Sequence, residues 1–288
     1  MKPAPFVHHS PRTLDETVAT LGEVGHDGKV LAGGQSLIPV LNMRLAQPAH
    51  LVDINRVDGL DAVTVADDFV RVGATVRHAA LERNDDAYAV LPLLRQALRN
   101  VAHPAIRNRG TTVGSIAHAD ASGEMPSIAV LTNAVMEVVG PRGRREVAAT
   151  DFFEGPLQTV LEADELLEAV RFGRFTPGTR TAFLESARRH GDYALAGVAV
   201  AVDVSGDGGD AVVERARAAY VSVTDVPVVI DLSEAVAGQS ISSTWDAVED
   251  LVQSGIAPEA DIHASSDYRR MLAAELTRRA LATAVKEA

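Results

Sequence analysis

Apolar residues change their spacing three times along the chain. In the first stretch, Leu14, Val18 and Leu21 fall on one face and predict a helix over 13–24. Val30, Leu31 and Ala32 form a run of strand length, and 51–54 form another. Between them Leu37, Ile38, Val40 and Leu41 give a helical face that reaches about Leu45 and is stopped by Pro48. This strand–helix–strand unit is most simply a right-handed parallel crossover. Residues 6–12 read as an extended arm before it.

From Gly59 the pattern turns to strand pairs. Residues 62–65 and 69–74 read as a hairpin around Asp67 and Asp68. Helices are expected over 78–83, 91–101 and 127–131. A second hairpin, 134–139 with 146–149, turns through Gly140-Pro141-Arg142-Gly143. Residues 165–172 read as a strand, although Leu-Leu-Glu-Ala also permits a helix. Pro177-Gly178 marks a boundary. Beyond it, 193–204 reads as a strand buried on both faces or against a helix, 206–209 as a hairpin turn, 215–223 as the returning strand, and 243–254 and 266–287 as helices. The chain thus divides into units at 1–56, 57–177 and 178–288.

Residues 100–126 break the pattern. They are rich in Gly, Ser, Thr, His and Asp, with isolated apolar anchors at Ile106, Val113 and Ile116. A stretch of this length reads as an ordered loop, and long loops inside a compact domain are usually functional.

Composition narrows the chemistry. The 288 residues carry a net charge of −12, which opposes nonspecific nucleic-acid binding and docking on an anionic membrane. There are no cysteines, so disulfides, thiol nucleophiles and iron–sulfur clusters of the usual kind are excluded within this chain. No segment approaches the ~20 apolar residues of a membrane span, and no signal-peptide core is visible near Met1. The cytoplasm is the simplest expected location.

The candidate chemistry sits in two glycine turns. In KVLAGGQSLIPVLN, residues 29–42, Gly33 and Gly34 lie between a strand and a helix, and Ser36 stands where an N-cap belongs. Such a junction points free backbone N–H groups at one spot beside a helix N-terminus, where a phosphate or pyrophosphate is stabilised. An ordinary tight turn has the same spelling. In the second stretch Gly110, Gly114 and Gly123 allow close backbone approach, and Thr111, Thr112 and Ser115 offer hydroxyls. His8 and His9 are adjacent and cannot converge on one metal from a strand; His103 and His118 lack metal-ligand partners. Arg107 and Arg109 read equally as solvated or as phosphate or partner contacts, and Arg142, Arg144 and Arg145 as a solvated hairpin end. Tyr193 alone reads as a core tyrosine at a strand start.

Taken together, AGGQS at 32–36, TTVGS at 111–115 about 75 residues further on, and GDYA at 191–194 after Arg188-Arg189 resemble the FAD-binding medium subunit of the molybdenum hydroxylases, the carbon monoxide dehydrogenase and xanthine dehydrogenase family. The resemblance covers essentially the whole chain. It implies an α+β fold of the vanillyl-alcohol-oxidase-like (PCMH) type. Two FAD-binding lobes would be followed by a C-terminal domain with a three-stranded antiparallel sheet and helices. It implies that Ala32, Gly33, Gly34, Gln35 and Ser36 hold the FAD pyrophosphate, with Lys29, Leu37 and Leu167 in the contact set. Thr111, Thr112, Val113, Gly114 and Ser115 would complete the cradle. Glu124, with Asp120 near, would take the ribose or adenine end, and Tyr193 would lie by the flavin. No residue is implied as catalytic and none as a metal ligand.

The resemblance also implies a large subunit carrying molybdenum–pterin, a small subunit carrying [2Fe–2S] clusters, and a dimer of such heterotrimers. Electrons would arrive from the clusters and leave to an external acceptor. There are departures from the family pattern: TTVGS where TIGGN is common, Glu124 where an aspartate is common, and Leu184-Glu185 where some relatives carry a lysine. A stand-alone flavin oxidoreductase and an assembly subunit with a decayed cofactor site are the alternative readings.

Overall fold

The computed structural model describes residues 2–206, 208 and 211–286. It opens with β1 (Val7–His9), α1 (Leu14–Val24), β2 (Gly28–Leu31), α2 (Leu37–Asn42) and β3 (His50–Asp53). Helix α1 starts on a capping box. Thr13 Oγ1 accepts from the Glu16 N–H at 3.2 Å, and the Glu16 carboxylate accepts from the Thr13 N–H at 3.3 Å. The three strands form a parallel sheet in the order β1-β3-β2, so the expected crossover is present and the extended arm adds a strand to it.

Next come β4 (Val63–Val65), β5 (Phe69–Gly73), α3 (His78–Glu82), α4 (Asp85–Val90), α5 (Pro92–Leu98), α6 (Pro104–Arg107), α7 (Thr112–His118) and α8 (Glu124–Leu131). They are followed by β6 (Val135–Gly140), β7 (Gly143–Ala148), a small hairpin β8 (Phe153–Gly155) with β9 (Gln158–Thr159), and β10 (Leu166–Gly173). The second sheet runs β4-β5-β10-β6-β7 and is antiparallel throughout. Residues 166–173 are therefore strand, and the helical alternative for this stretch falls. The long loop expected over 100–126 is a correction: three short helices occupy much of it. Pro104 sits in the first turn of α6, Thr111 caps α7, and Gly123 precedes α8. Helices this short show too few turns for a 3.6-residue period to register, and their caps spell like loop residues.

The last third holds β11 (Arg180–Ala187), β12 (Ala194–Ser205), β13 (Val212–Val221), β14 (Val229–Asp231), α9 (Ser233–Val236), α10 (Val248–Gly255) and α11 (Ser266–Lys286). The sheet order is β11-β12-β13-β14. The expected sheet of three strands therefore has a fourth; β14 is three residues long, just after Pro227, too short to show alternation. The expected hairpin turn at 206–209 and the helix end at Glu287 lie partly outside the described residues. Helix α10 begins later than expected: 243–245 are irregular, Trp245 adopts φ 61°, and a turn at 246–247 leads into the helix.

One face of the third sheet packs on α10 and α11, where the buried Tyr220 hydroxyl meets Thr277 Oγ1 at 3.1 Å. On its other face lies α8, whose residues from Met125 to Leu131 are all buried. A helix apolar all round is one covered on every side, and here it is covered by the third sheet on one side and by α5 and α7 on others. Among the described residues no helix is long and apolar enough to cross a membrane.

The three hairpin arginines are not merely solvated. Arg142 pairs with Asp164 at 2.9 Å, Arg144 with Glu168 at 3.0 Å and Arg145 with Glu165 at 2.7 Å. Arg107 is neither solvated nor free for phosphate: 8 % exposed, it holds Glu82 at 2.9 Å and the Val101 carbonyl at 3.0 Å.

Candidate functional site

The two glycine turns meet. A methyl placed on Gly33 would lie 2.5 Å from the Arg109 carbonyl oxygen and 2.7 Å from Gly110 Cα. Only glycine lets the backbones come this close. Gly34 follows with φ 72°, which turns the chain into α2. Ile38 N–H donates to the Gly34 carbonyl at 3.0 Å, so the helical turn begins before Ser36. Ser36 is itself αR (φ −98°, ψ −47°) and its hydroxyl makes no capping bond. The capping role expected of it is not realised.

The consequence is a row of unused donors. Among the described residues the N–H groups of Gly33, Gly34, Gln35 and Ser36 meet no protein acceptor. Backbone amides that are buried or face a ligand are normally paired, and four free ones in succession have the form of an anion-binding turn. On the second turn the Gly114 amide is already spent on Thr111 Oγ1 at 3.1 Å and the Ser115 amide on the Thr111 carbonyl at 3.0 Å.

A clamp behind the cradle joins the two turns. Arg77 donates to the Arg109 carbonyl at 2.5 Å and to Asn55 Oδ1 at 2.6 Å. Asn55 Nδ2 in turn donates to the Ala32 carbonyl at 2.8 Å, and its backbone N–H to Asp53 Oδ1 at 2.9 Å. Burial, then the neighbouring Arg109, lower the Arg77 pKa, while Asp53 raises it. His78 adds a second tie. Its N–H donates to the Gly110 carbonyl at 2.9 Å, and its Nδ1 pairs with Thr112 Oγ1 at 3.1 Å. Burial, then Arg107, push the His78 pKa down to about 4, so the ring is neutral near pH 7.

Sequence reasoning missed Arg77, Asn55 and His78. A signal was present for Asn55: it directly follows a parallel apolar strand, and ligands gather outside the carboxyl ends of such strands.

The cradle opens into a cavity of about 880 Å³, within the usual range for a cofactor site. Lys29, Ala32, Gly33, Gly34, Gln35, Ser36 and Leu37 line it from the first turn, and Thr111, Val113, Gly114 and Ser115 from the second. Asp120, Glu124, Leu167 and Tyr193 line it further along. Thr112 does not: its side chain is fully buried against His78, and its N–H goes to the Val76 carbonyl at 3.3 Å. Tyr193 is 68 % exposed and stands at the cavity mouth just before β12, so it is not a core tyrosine. The turn before it rests on His103, whose ring would lie 2.5 Å from a Cβ at Gly191. His118 also lines the cavity.

The acidic end has its own electrostatics. Burial, helped by Asp120, pushes the Glu124 pKa up to about 7. Glu185 on β11 is pushed up to about 8, by burial and then by Glu124, and its Oε2 is buried without a partner among the described residues. The residues fit an extended dinucleotide: unpaired amides for a pyrophosphate, a carboxyl able to accept from a ribose hydroxyl, and apolar walls at Val113, Leu161 and Leu167.

Fold and cleft together define an FAD-binding oxidoreductase subunit. The profile of the FAD binding domain in molybdopterin dehydrogenase matches residues 4–174, and that of the CO dehydrogenase flavoprotein C-terminal domain matches 181–284. The chain is 37 % identical over 286 residues to the nicotine 6-hydroxylase medium subunit of Paenarthrobacter nicotinovorans, covering 99 % of each. It is 34 % identical over 287 residues to the carbon monoxide dehydrogenase medium chain of Hydrogenophaga pseudoflava, covering 98 % of this chain and 97 % of that one. A chain in the crystal structure of quinoline 2-oxidoreductase from Pseudomonas putida 86 superposes with a TM-score of 0.91 at 36 % identity, covering 99 % of each. The protein belongs to the family of FAD-binding medium subunits of the molybdenum hydroxylases.

Proposed function

We propose that this chain is the electron outlet of a three-subunit molybdenum hydroxylase. The observation that carries the reading is the row of unpaired amides from Gly33 to Ser36, held against a second glycine turn in a chain without cysteine. Bound FAD supplies redox chemistry that joins one-electron carriers to one- or two-electron acceptors. The chain's own residues bind and orient. The Gly33–Ser36 amides would take the pyrophosphate, with Thr111, Val113 and Ser115 closing the cradle and Lys29 adding a positive charge. Asp120 and Glu124 would accept from the ribose, while Leu37 and Leu167 exclude water. Tyr193 would cover the open side.

The oxidised substrate would bind on a partner carrying molybdenum–pterin, and a second partner would carry the [2Fe–2S] clusters that a chain without cysteine cannot hold. A dimer of such heterotrimers is the proposed assembly. Relatives named for nicotine, caffeine, carbon monoxide and glyceraldehyde support an N-heterocycle, alkaloid, aldehyde or carbon monoxide as substrate class. We also propose the division of the chain at 56/57 and 177/178.

Purification from its native source tests the reading. A yellow complex absorbing near ~450 nm, with a molybdenum subunit and a cluster subunit bound, is expected. Yellow protein that turns over a substrate alone would favour a self-contained enzyme. Colourless protein that takes up no added FAD would favour a decayed site.

A further inference from the structure

A second cleft lies away from the FAD cavity, between the end of β10 and the third sheet. It encloses about 140 Å³, room for about four or five waters. Three guanidinium groups line it: Arg174 just past β10, and Arg215 and Arg217 two residues apart on β13, against the single carboxylate of Asp203. That carboxylate is already engaged. Asp203 accepts from Arg215 Nε at 2.9 Å and from Thr179 Oγ1 at 2.5 Å. Asp231 on β14 stands opposite Arg217 in register, yet accepts from the Ser233 N–H at 2.9 Å and makes no ion pair with Arg217 among the described residues.

Two guanidinium groups are therefore left with free donors. Arg217 is half-buried and has no hydrogen-bond or ion-pair partner among the described residues. Arg174 spends one N–H on the Ala66 carbonyl at 3.0 Å, and its other donors are unassigned. The Asn133 side-chain amide also borders the cleft and has no partner among the described residues. Two half-buried guanidinium groups, Arg174 and Arg217, share a cleft in which Asp203 is already paired with Arg215, an arrangement that an anion would relieve. Against a whole-chain net charge of −12, a local excess of cations is the more pointed.

We propose that this cleft binds a small tetrahedral oxyanion, phosphate or sulfate, gripped by Arg217 and Arg174. Guanidinium forks match such oxygens two at a time, and the volume suits an ion of five heavy atoms. Bound there, the anion ties the end of the second sheet to the third sheet, and so steadies the C-terminal part of the chain on the FAD-binding part.

The test is thermal unfolding of the FAD-loaded protein, so that the glycine cradle is filled, in inorganic phosphate against chloride at matched ionic strength. Saturable stabilisation of about 3 °C is expected at ten times the dissociation constant. It should vanish in Arg217→Ala, weaken in Arg174→Gln and survive in part in Arg217→Lys. In chloride alone Arg217→Ala should melt no lower than the wild type, because among the described residues the side chain has no hydrogen bond or ion pair to lose and feels only the more distant pull of the exposed Asp231. Stabilisation that survives Arg217→Ala, or that is absent at every phosphate concentration, overturns the proposal. A lower melting temperature for Arg217→Ala in chloride also overturns it, since the guanidinium would then serve the fold directly.

Discussion

Replacing Arg77 with alanine should loosen the FAD cradle without touching it. Arg77 does not line the cavity; it bonds the Arg109 carbonyl at 2.5 Å and Asn55 Oδ1 at 2.6 Å, and Asn55 carries the link on to the Ala32 carbonyl at 2.8 Å. A shielded charged hydrogen bond is worth about 1.5–3 kcal/mol and an exposed one nearer 1. Asn55 is exposed and Arg77 half-buried, so the two together come to about 2 kcal/mol. The apoprotein should melt roughly 4–8 °C lower. If only a fraction of molecules then hold the two turns together, apparent affinity falls by that fraction, here about 10- to 30-fold.

Quenching of FAD fluorescence on titration into apoprotein measures the affinity. Asn55→Ala should weaken binding by a similar factor. The double variant should match either single one to within about 0.5 kcal/mol rather than their sum, because both break one chain of bonds. Affinity within about twofold of wild type for Arg77→Ala, or full additivity in the double variant, would refute the clamp.

Gly33→Ala should abolish FAD binding and cost more than about 2 kcal/mol of stability, since its Cβ would meet backbone at 2.5 Å; denaturant unfolding checks this. Gly34→Ala should cost about 1–2 kcal/mol for its φ of 72° and leave weakened binding. Tyr193→Ala should leave apoprotein melting unchanged, because the side chain is 68 % exposed, yet should alter FAD fluorescence in the complex. Glu124 and Glu185 are carboxyls with raised folded pKa values, about 7 and about 8, so they favour the folded state while protonated. Their contribution is full below the ordinary carboxyl range near pH ~4.5 and is lost as pH rises through those values. His78, with its folded pKa down at about 4, works the other way below about pH 6.5, so apoprotein melting should fall most steeply between about pH 6.5 and pH 8.5, and Glu185→Gln should flatten the upper half of that decline.

Residue pattern made the architecture legible where elements were long or strongly alternating. The crossover around α2, the paired strands of the second sheet and the twelve residues of β12 were all readable. It failed where elements were short. Helices α6 and α7 hide among their own caps, and β14 spans three residues. At the site, the glycine turns announced themselves because few residues besides glycine permit such backbone. The clamp did not, because Arg77 and Asn55 meet only through the fold, 22 positions apart. Thr112 shows the reverse error: a hydroxyl inside the right motif points into the core at His78. Spacing in a loop assumed to be irregular cannot say which side chains of a helical first turn face the ligand.

The central claim is that main-chain amides from residues 33–36 grip the dinucleotide. Hydrogen exchange at those amides, compared between apoprotein and FAD-loaded protein, tests it most directly. The account predicts fast exchange at Gly33, Gly34, Gln35 and Ser36 without FAD and slowing of at least ~100-fold with it, while β12 remains protected in both states. Unchanged exchange at these four amides in a protein carrying one FAD per chain would contradict it.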